Sequence, residues 1–168
     1  NSLPNVTAGN NQAVCSGNTV TLSGSGASTY TWNNNVQNGV SFVPSATQTY
    51  TLTGTDLNGC SNTALVTVTV NSLPNVTAGN NQAVCSGNSV TLTGSGASTY
   101  AWSNNVQNGI SFVPAATQTY TLTGTDLNGC SDTAQVTVTV NSLPNVTAGN
   151  NQAVCSGNTV TLSGSGAS

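Results

Sequence analysis

The string Asn-Ser-Leu-Pro-Asn-Val-Thr-Ala-Gly-Asn-Asn-Gln-Ala-Val-Cys begins at Asn1 and returns at Asn71 and again at Asn141. The period is 70 residues. A chain that repeats itself in this way must fold as a series of like units, not around one shared core. The first two copies differ at only eight positions: 19, 23, 31, 33, 40, 45, 62 and 65. The third copy runs over 141–168 and matches residues 1–28 throughout. The expected organisation is one repeat over 1–70, a second over 71–140, and the first part of a third over 141–168. So short a remnant cannot bury a core alone, so the third repeat is expected to be truncated or completed by another chain.

In the first copy 39 of 70 residues are Ser, Thr, Asn or Gly, a polarity that could signal disorder. Ordered alternation argues otherwise. Val20 and Leu22 alternate with Thr19 and Thr21, Tyr30 and Trp32 with Thr29 and Thr31, Tyr50 and Leu52 with Thr49, Thr51 and Thr53. Val66, Val68 and Val70 alternate with Thr67 and Thr69. Period two with β-branched residues is the signature of half-buried strands. No 3.6-residue period is sustained, so essentially no helix is expected. Gly and Asn clusters such as Ala8-Gly9-Asn10-Asn11, Gln37-Asn38-Gly39 and Asp56-Leu57-Asn58-Gly59 supply the positive φ of tight turns. The spacing predicts strands at 4–8, 12–15, 18–24, 29–34, 39–43, 48–55 and 61–70, repeated one period later. About seven short strands per unit read as an antiparallel β-sandwich.

The differences between copies agree with this parity. Thr19, Ser23, Thr31 and Asn33 all lie opposite in phase to Val20, Leu22 and Trp32, and Leu65 (Gln135 in the second copy) lies off the Val66–Val68–Val70 stripe. The one change assigned to the core side is Val40 against Ile110. The expected core is Val20, Leu22, Trp32, Tyr50, Val66 and Val68, with Trp102 and Tyr120 in the second copy.

Composition then excludes whole classes of function. There is no Lys, Arg or His, and Asp56, Asp126 and Asp132 are the only carboxylates, for a net charge of -3. No ordinary general base, imidazole ligand or electrophilic cation exists, so no enzyme, no metal site and no cofactor is expected. Nucleic acid and anionic lipid both require Lys or Arg. No apolar run reaches membrane-spanning length, so no membrane insertion is expected in this segment. No signal peptide is visible, and the chain reads as a mature or internal segment. The Asp56 and Asp126 loops read as hairpin turns, lacking the oxygen density of a calcium loop. Without Lys, Lys–Asn cross-links are excluded and disulfides are the only covalent brace.

Cys15-Ser16-Gly17-Asn18-Thr19-Val20-Thr21-Leu22, then Tyr30-Thr31-Trp32, then Thr49–Cys60, then Val66-Thr67-Val68-Thr69-Val70 together resemble the immunoglobulin-like or PKD-like repeats of large surface proteins of Bacteroidetes-type bacteria. The resemblance covers the whole unit. It implies tandem immunoglobulin-like β-sandwiches of about 70 residues arranged head to tail, in secreted cell-surface arrays that serve as adhesins or structural stalks. Tyr50 and Tyr120 resemble the corner tyrosine of such domains. Asp132-Thr133-Ala134 is similar to the short O-glycosylation motif of that bacterial group, which makes Thr133 a candidate glycosylation site. Asn62-Thr63-Ala64 of the first copy departs from that motif. The Asn5, Asn75 and Asn145 sequons read as chance in a bacterial chain.

Within that topology the cysteines present a choice. Cys60 follows Tyr50 by ten residues and opens the last strand, whereas Cys15 precedes the second. An immunoglobulin-like topology puts these places at opposite poles, a strand length of ~27 Å apart against a ~7 Å limit for a disulfide. Two frameworks stay open: a staple between repeats, Cys15–Cys130, or bonds within each repeat, Cys15–Cys60 and Cys85–Cys130. Free thiols or chain-to-chain bonds, with Cys155 among them, complete the alternatives. Either pairing implies an oxidising compartment.

The function expected is a structural repeat of an extracellular bacterial surface fibre, filament or stalk, braced by disulfides and self-associating, with other copies of the chain as partners. The alternative is an adhesin module that binds glycans or another cell surface.

Overall fold

The computed structural model describes residues 2–166. The first repeat forms β1 (Gln12–Cys15), β2 (Val20–Thr21), β3 (Thr29–Trp32), β4 (Ser41–Phe42), β5 (Gln48–Thr55) and β6 (Ser61–Asn71). The second repeats them as β7 (Gln82–Cys85), β8 (Val90–Thr91), β9 (Thr99–Trp102), β10 (Ser111–Phe112), β11 (Gln118–Thr125) and β12 (Ser131–Asn141). Each has a four-stranded sheet, β1-β6-β5-β3 or β7-β12-β11-β9, and a two-stranded one, β2–β4 or β8–β10.

The long central pair follows from the Thr alternation. β5 and β6 run antiparallel, with Tyr50 opposite Val66 and Leu52 opposite Ala64. One face carries Tyr50, Leu52, Val66 and Val68, all buried. The other carries threonines, and the Thr49 and Thr67 hydroxyls lie 3.0 Å apart on it. Val20 and Leu22 close the core from the β2–β4 side, joined by Trp32, Val6 and Ala8. Each fully buried Leu or Val contributes roughly 1.5–3 kcal/mol. The second repeat buries the equivalent set, including Val90, Leu92, Trp102, Tyr120, Leu122, Val136 and Val138. All the core residues expected from sequence are therefore inside. In the first repeat seven of the eight variable positions are exposed and Asn62 is half-buried; in the second, Ser103 is the half-buried one.

Three expectations need correction. The sandwich is not wholly antiparallel, because β1 runs parallel to β6, with Val14 opposite Val70 and Cys15 opposite Asn71. Segment 4–8 is not a regular strand; a single bridge joins Thr7 to Ser25. Gly9, at φ 77°, turns the chain between the Thr7 bridge and β1. Val40 and Ile110 are 51% and 57% exposed and do not belong to the core. The Val40 N–H donates to the Gln37 carbonyl at 3.2 Å, so Val40 still lies in the turn that precedes β4. Ser103–Asn105 forms a three-residue 3₁₀ turn in the second repeat, and no α-helix occurs among the described residues.

Two sheets per repeat around a shared core, with β5 and β6 as the long final hairpin, make the chain an all-β protein of immunoglobulin-like sandwiches. In the 141–166 stretch only the Thr147–Ser165 bridge forms. There Val146, Val160 and Leu162 are 63%, 46% and 76% exposed. Their counterparts Val6, Val20 and Leu22 are buried by residues of the later strands, which this stretch lacks.

Candidate functional site

Contacts gather the chain into two compact units that do not follow the repeat boundaries. One joins the residues up to Val76 with Gly96–Tyr100 and Thr123–Thr133; the other joins Thr77–Ser95, Ala101–Leu122 and the stretch from Ala134 onward. Within the first of these units Cys15 and Cys130 form a disulfide, with Cα atoms 5.6 Å apart and a separation of 115 positions in sequence.

Local structure delivers both cysteines to this bond. Cys15 ends β1, where the Ser16 N–H donates to the Asn71 carbonyl at 2.8 Å. The turn beyond it is closed by the Asn18 N–H donating to the Cys15 carbonyl at 3.0 Å. Cys130 sits at the end of the β11–β12 hairpin turn, which Asp126 organises. The Asp126 Oδ1 accepts from the N–H groups of Asn128 and Cys130, both at 2.8 Å. Asp56 does the same for Asn58 and Cys60 in the first repeat. The two aspartates thus have a structural role as turn acceptors, and no cluster of residues able to hold a metal forms among the described residues. Replacing Asp126 by Ala should cost about 1–3 kcal/mol by leaving two N–H groups unmatched, whereas Asp126→Asn keeps the acceptor and most of the stability. Chemical denaturation of both variants checks this.

Cys130 is fully buried, whereas Cys60 at the equivalent position is half-buried. Cys60, Cys85 and Cys155 are free thiols. Of the frameworks left open by the sequence, the staple between repeats is the one that forms, a single bond between successive repeats. The reason is placement. Cys60 lies at the far end of β6 from Asn71, the residue opposite Cys15.

Trp32 is buried and its indole N–H donates to the Asn38 Oδ1 at 3.0 Å. The same oxygen accepts from the Gly24 N–H at 2.7 Å. Trp102, Asn108 and Gly94 repeat this arrangement. Asn38 and Asn108 are pivots that pattern reading treated only as turn residues. The signal that finds them is chemical: a buried indole needs an acceptor. Asn38→Ala should cost about 1–3 kcal/mol, because it leaves the Trp32 indole N–H and the Gly24 N–H without their acceptor; thermal melts of the variant against the parent check this.

The tyrosines divide their roles differently from the resemblance. Tyr50 is buried, edge-on to Phe42 with centroids 5.4 Å apart. The hydroxyl that ties down backbone belongs to Tyr30, which donates to the Ala27 carbonyl at 2.6 Å and accepts from the Ala27 N–H at 3.0 Å. Thr133 is exposed, its N–H donating to the Asp132 Oδ1 at 2.7 Å. In the first repeat the Asn62 Oδ1 accepts from the Thr63 N–H in the same way at 2.9 Å, and its Nδ2 also donates to the Pro4 carbonyl at 3.0 Å. A carboxylate cannot reproduce that bond.

An open depression of about 310 Å³ lies beside the β3–β4 connection, lined by Asn34, Asn35, Val36, Gln37 and Phe42 among others. Asn34 and Asn35 have φ of 57° and 58°, which holds the loop out from the sheet. No helix is long and apolar enough to cross a membrane among the described residues.

No family model matches the chain, and no curated protein does. Among solved structures the chain is similar to hemolin, an insect immune protein described with implications for homophilic adhesion, at 17% identity and a TM-score of 0.43, over 83% of this chain and 46% of that one. It is similar to an I-band fragment of titin at 12% identity and a TM-score of 0.44, over 85% and 67% of the two chains. It is similar to the N-terminal eight immunoglobulin domains of Down Syndrome Cell Adhesion Molecule at 16% identity and a TM-score of 0.35, over 86% and 29%. The chain spans about half the length of the hemolin chain and less than a third of the last.

Proposed function

We propose that this chain is a structural repeat of an extracellular bacterial surface fibre, filament or stalk, disulfide-braced and self-associating. It would be of the kind carried by the Bacteroidetes-type proteins whose immunoglobulin-like or PKD-like repeats its 70-residue unit resembles. The brick is the segment 1–70 or 71–140, with 141–168 opening a third. The observation that carries this reading is the Cys15–Cys130 bond, which ties one repeat covalently to the next. Such a bond implies an oxidising compartment. The free thiols Cys60, Cys85 and Cys155 are the positions at which the same offset joins further repeats or copies.

Self-association follows from the sheet edges. β3 and β9 each pair on one side only, and no charged residue guards them. Uncharged open edges recruit other strands. Light scattering and negative-stain imaging at micromolar concentration should show filaments or lateral oligomers. A strictly monodisperse monomer over a hundredfold concentration range would contradict self-association.

One observation favours the adhesin alternative: the depression at Asn34, Asn35 and Gln37 combines neutral amides with the apolar Val36 and Phe42, a lining suited to uncharged sugars. A glycan array separates the two readings, since a spacer binds nothing on it.

A further inference from the structure

We propose that the Cys15–Cys130 disulfide is a tension bypass that takes residues 16–129 out of the path of force along the chain. Force applied at the two ends travels along covalent bonds. On reaching Cys15 it crosses directly to Cys130, whose Cα lies 5.6 Å away, without following the backbone between them, a separation of 115 positions. That closed loop contains β2 to β11, and with them Trp32, Tyr50, Leu52, Val66 and Val68 of one core and Trp102, Tyr120 and Leu122 of the other.

What remains under load is short. In the second repeat the only loaded element is β12, Ser131–Asn141. Tension enters it next to Cys130 and leaves past Asn141, so β12 is pulled along its own axis. A strand already rises ~3.3 Å per residue, against a fully extended limit of ~3.6 Å. It therefore yields almost no length and has no reason to shear away from β11 or β7, both of which lie in the slack loop. In the first repeat the loaded part is the run before Cys15. It can lengthen by straightening the Gly9 turn and lifting Thr7 from Ser25 and β1 from β6. Extension is thus confined to the run before Cys15 and the stretch beyond β12, while most of both cores is shielded.

The bypass gives the load-bearing reading a mechanism and rests on it only for its biological sense. It is measured on the isolated full chain, so a failure to form filaments leaves it standing, and its failure leaves self-assembly untouched.

The test is single-molecule stretching of the whole chain, held at both ends by enzymatically ligated handles that spare the thiols. Under oxidising conditions total extension should stay below ~200 Å, the contour of the residues outside the loop. Adding a phosphine reductant at constant force should then release one further step of about 400 Å, the contour of the 115-position separation between the two cysteines. Cys15→Ser should extend by the full length with no reductant. If that variant fails to fold by circular dichroism, the reductant step on the unaltered chain still decides. Equal extension with and without phosphine overturns the proposal. So do reductant steps of about 160 Å, the contour between Cys15 and Cys60.

Discussion

Reducing the Cys15–Cys130 bond should lower the stability of the folded chain by about 5 kcal/mol, because the freed denatured chain regains the entropy of an open 115-residue loop. For a chain of this length that is a fall in melting temperature of ~10–20 °C. Differential scanning calorimetry with and without a phosphine measures it directly. Cys15→Ser should reproduce the fall without reductant, and reductant should then have no further effect. Cys85→Ser and Cys155→Ser should melt like the parent, since both are free, exposed thiols. A shift under ~2 °C on reduction would mean that the bond does not hold the fold. The magnitude matters because immunoglobulin-like units of this size bury little apolar surface.

The second large effect comes from one glycine. Gly26 has φ of 87°, and a Cβ there would be driven into the Asn5 carbonyl, backbone against backbone. Gly96 stands against Asn75 in the same way. Neither partner can rotate aside as a side chain could. Gly26→Ala should therefore break the Thr7–Ser25 bridge and cost about 3–5 kcal/mol, combining left-handed strain with overpacking. Gly17 makes the control. Its φ is 88°, but nothing lies within 4 Å of a Cβ placed there. Gly17→Ala should cost only ~1–2 kcal/mol, the conformational part alone. Urea titrations of the two variants separate clash from strain. Equal losses would show that the packing of residues 4–8 onto the Gly26 turn contributes nothing.

Much of this architecture was legible in the sequence because its alternation is literal. Tyr50, Leu52, Val66 and Val68 are inside, and the threonines between them are outside. The rest depended on contacts that no periodicity encodes. The parallel pairing of β1 with β6 joins residues 56 apart, and the alternation of Ala13 and Val14 is the same whichever neighbour they take. Parity failed at Val40 because Asn34 and Asn35 turn the chain through positive φ, so the phase set by Trp32 does not carry across the loop. The Asn38 acceptor was invisible for a similar reason: it reads as a turn residue, and only the fold sets its carbonyl oxygen against the Trp32 indole. The cysteines stood between these cases. Strand length argued against a bond from Cys15 to Cys60, yet only the three-dimensional arrangement puts Cys130 within bonding distance.

The central claim is that one repeat is bonded to the next through Cys15 and Cys130, and the three aspartates allow it to be tested by a single digestion. After free thiols are blocked under acidic conditions, a protease that cuts before aspartate leaves four fragments, 1–55, 56–125, 126–131 and 132–168. These carry Cys15, the pair Cys60 and Cys85, Cys130, and Cys155 respectively. Non-reducing mass spectrometry should find 1–55 linked to 126–131, with the other two fragments blocked and unlinked. Fragment 1–55 linked to 56–125 would pair Cys15 with Cys60 or Cys85 in place of Cys130 and contradict the account.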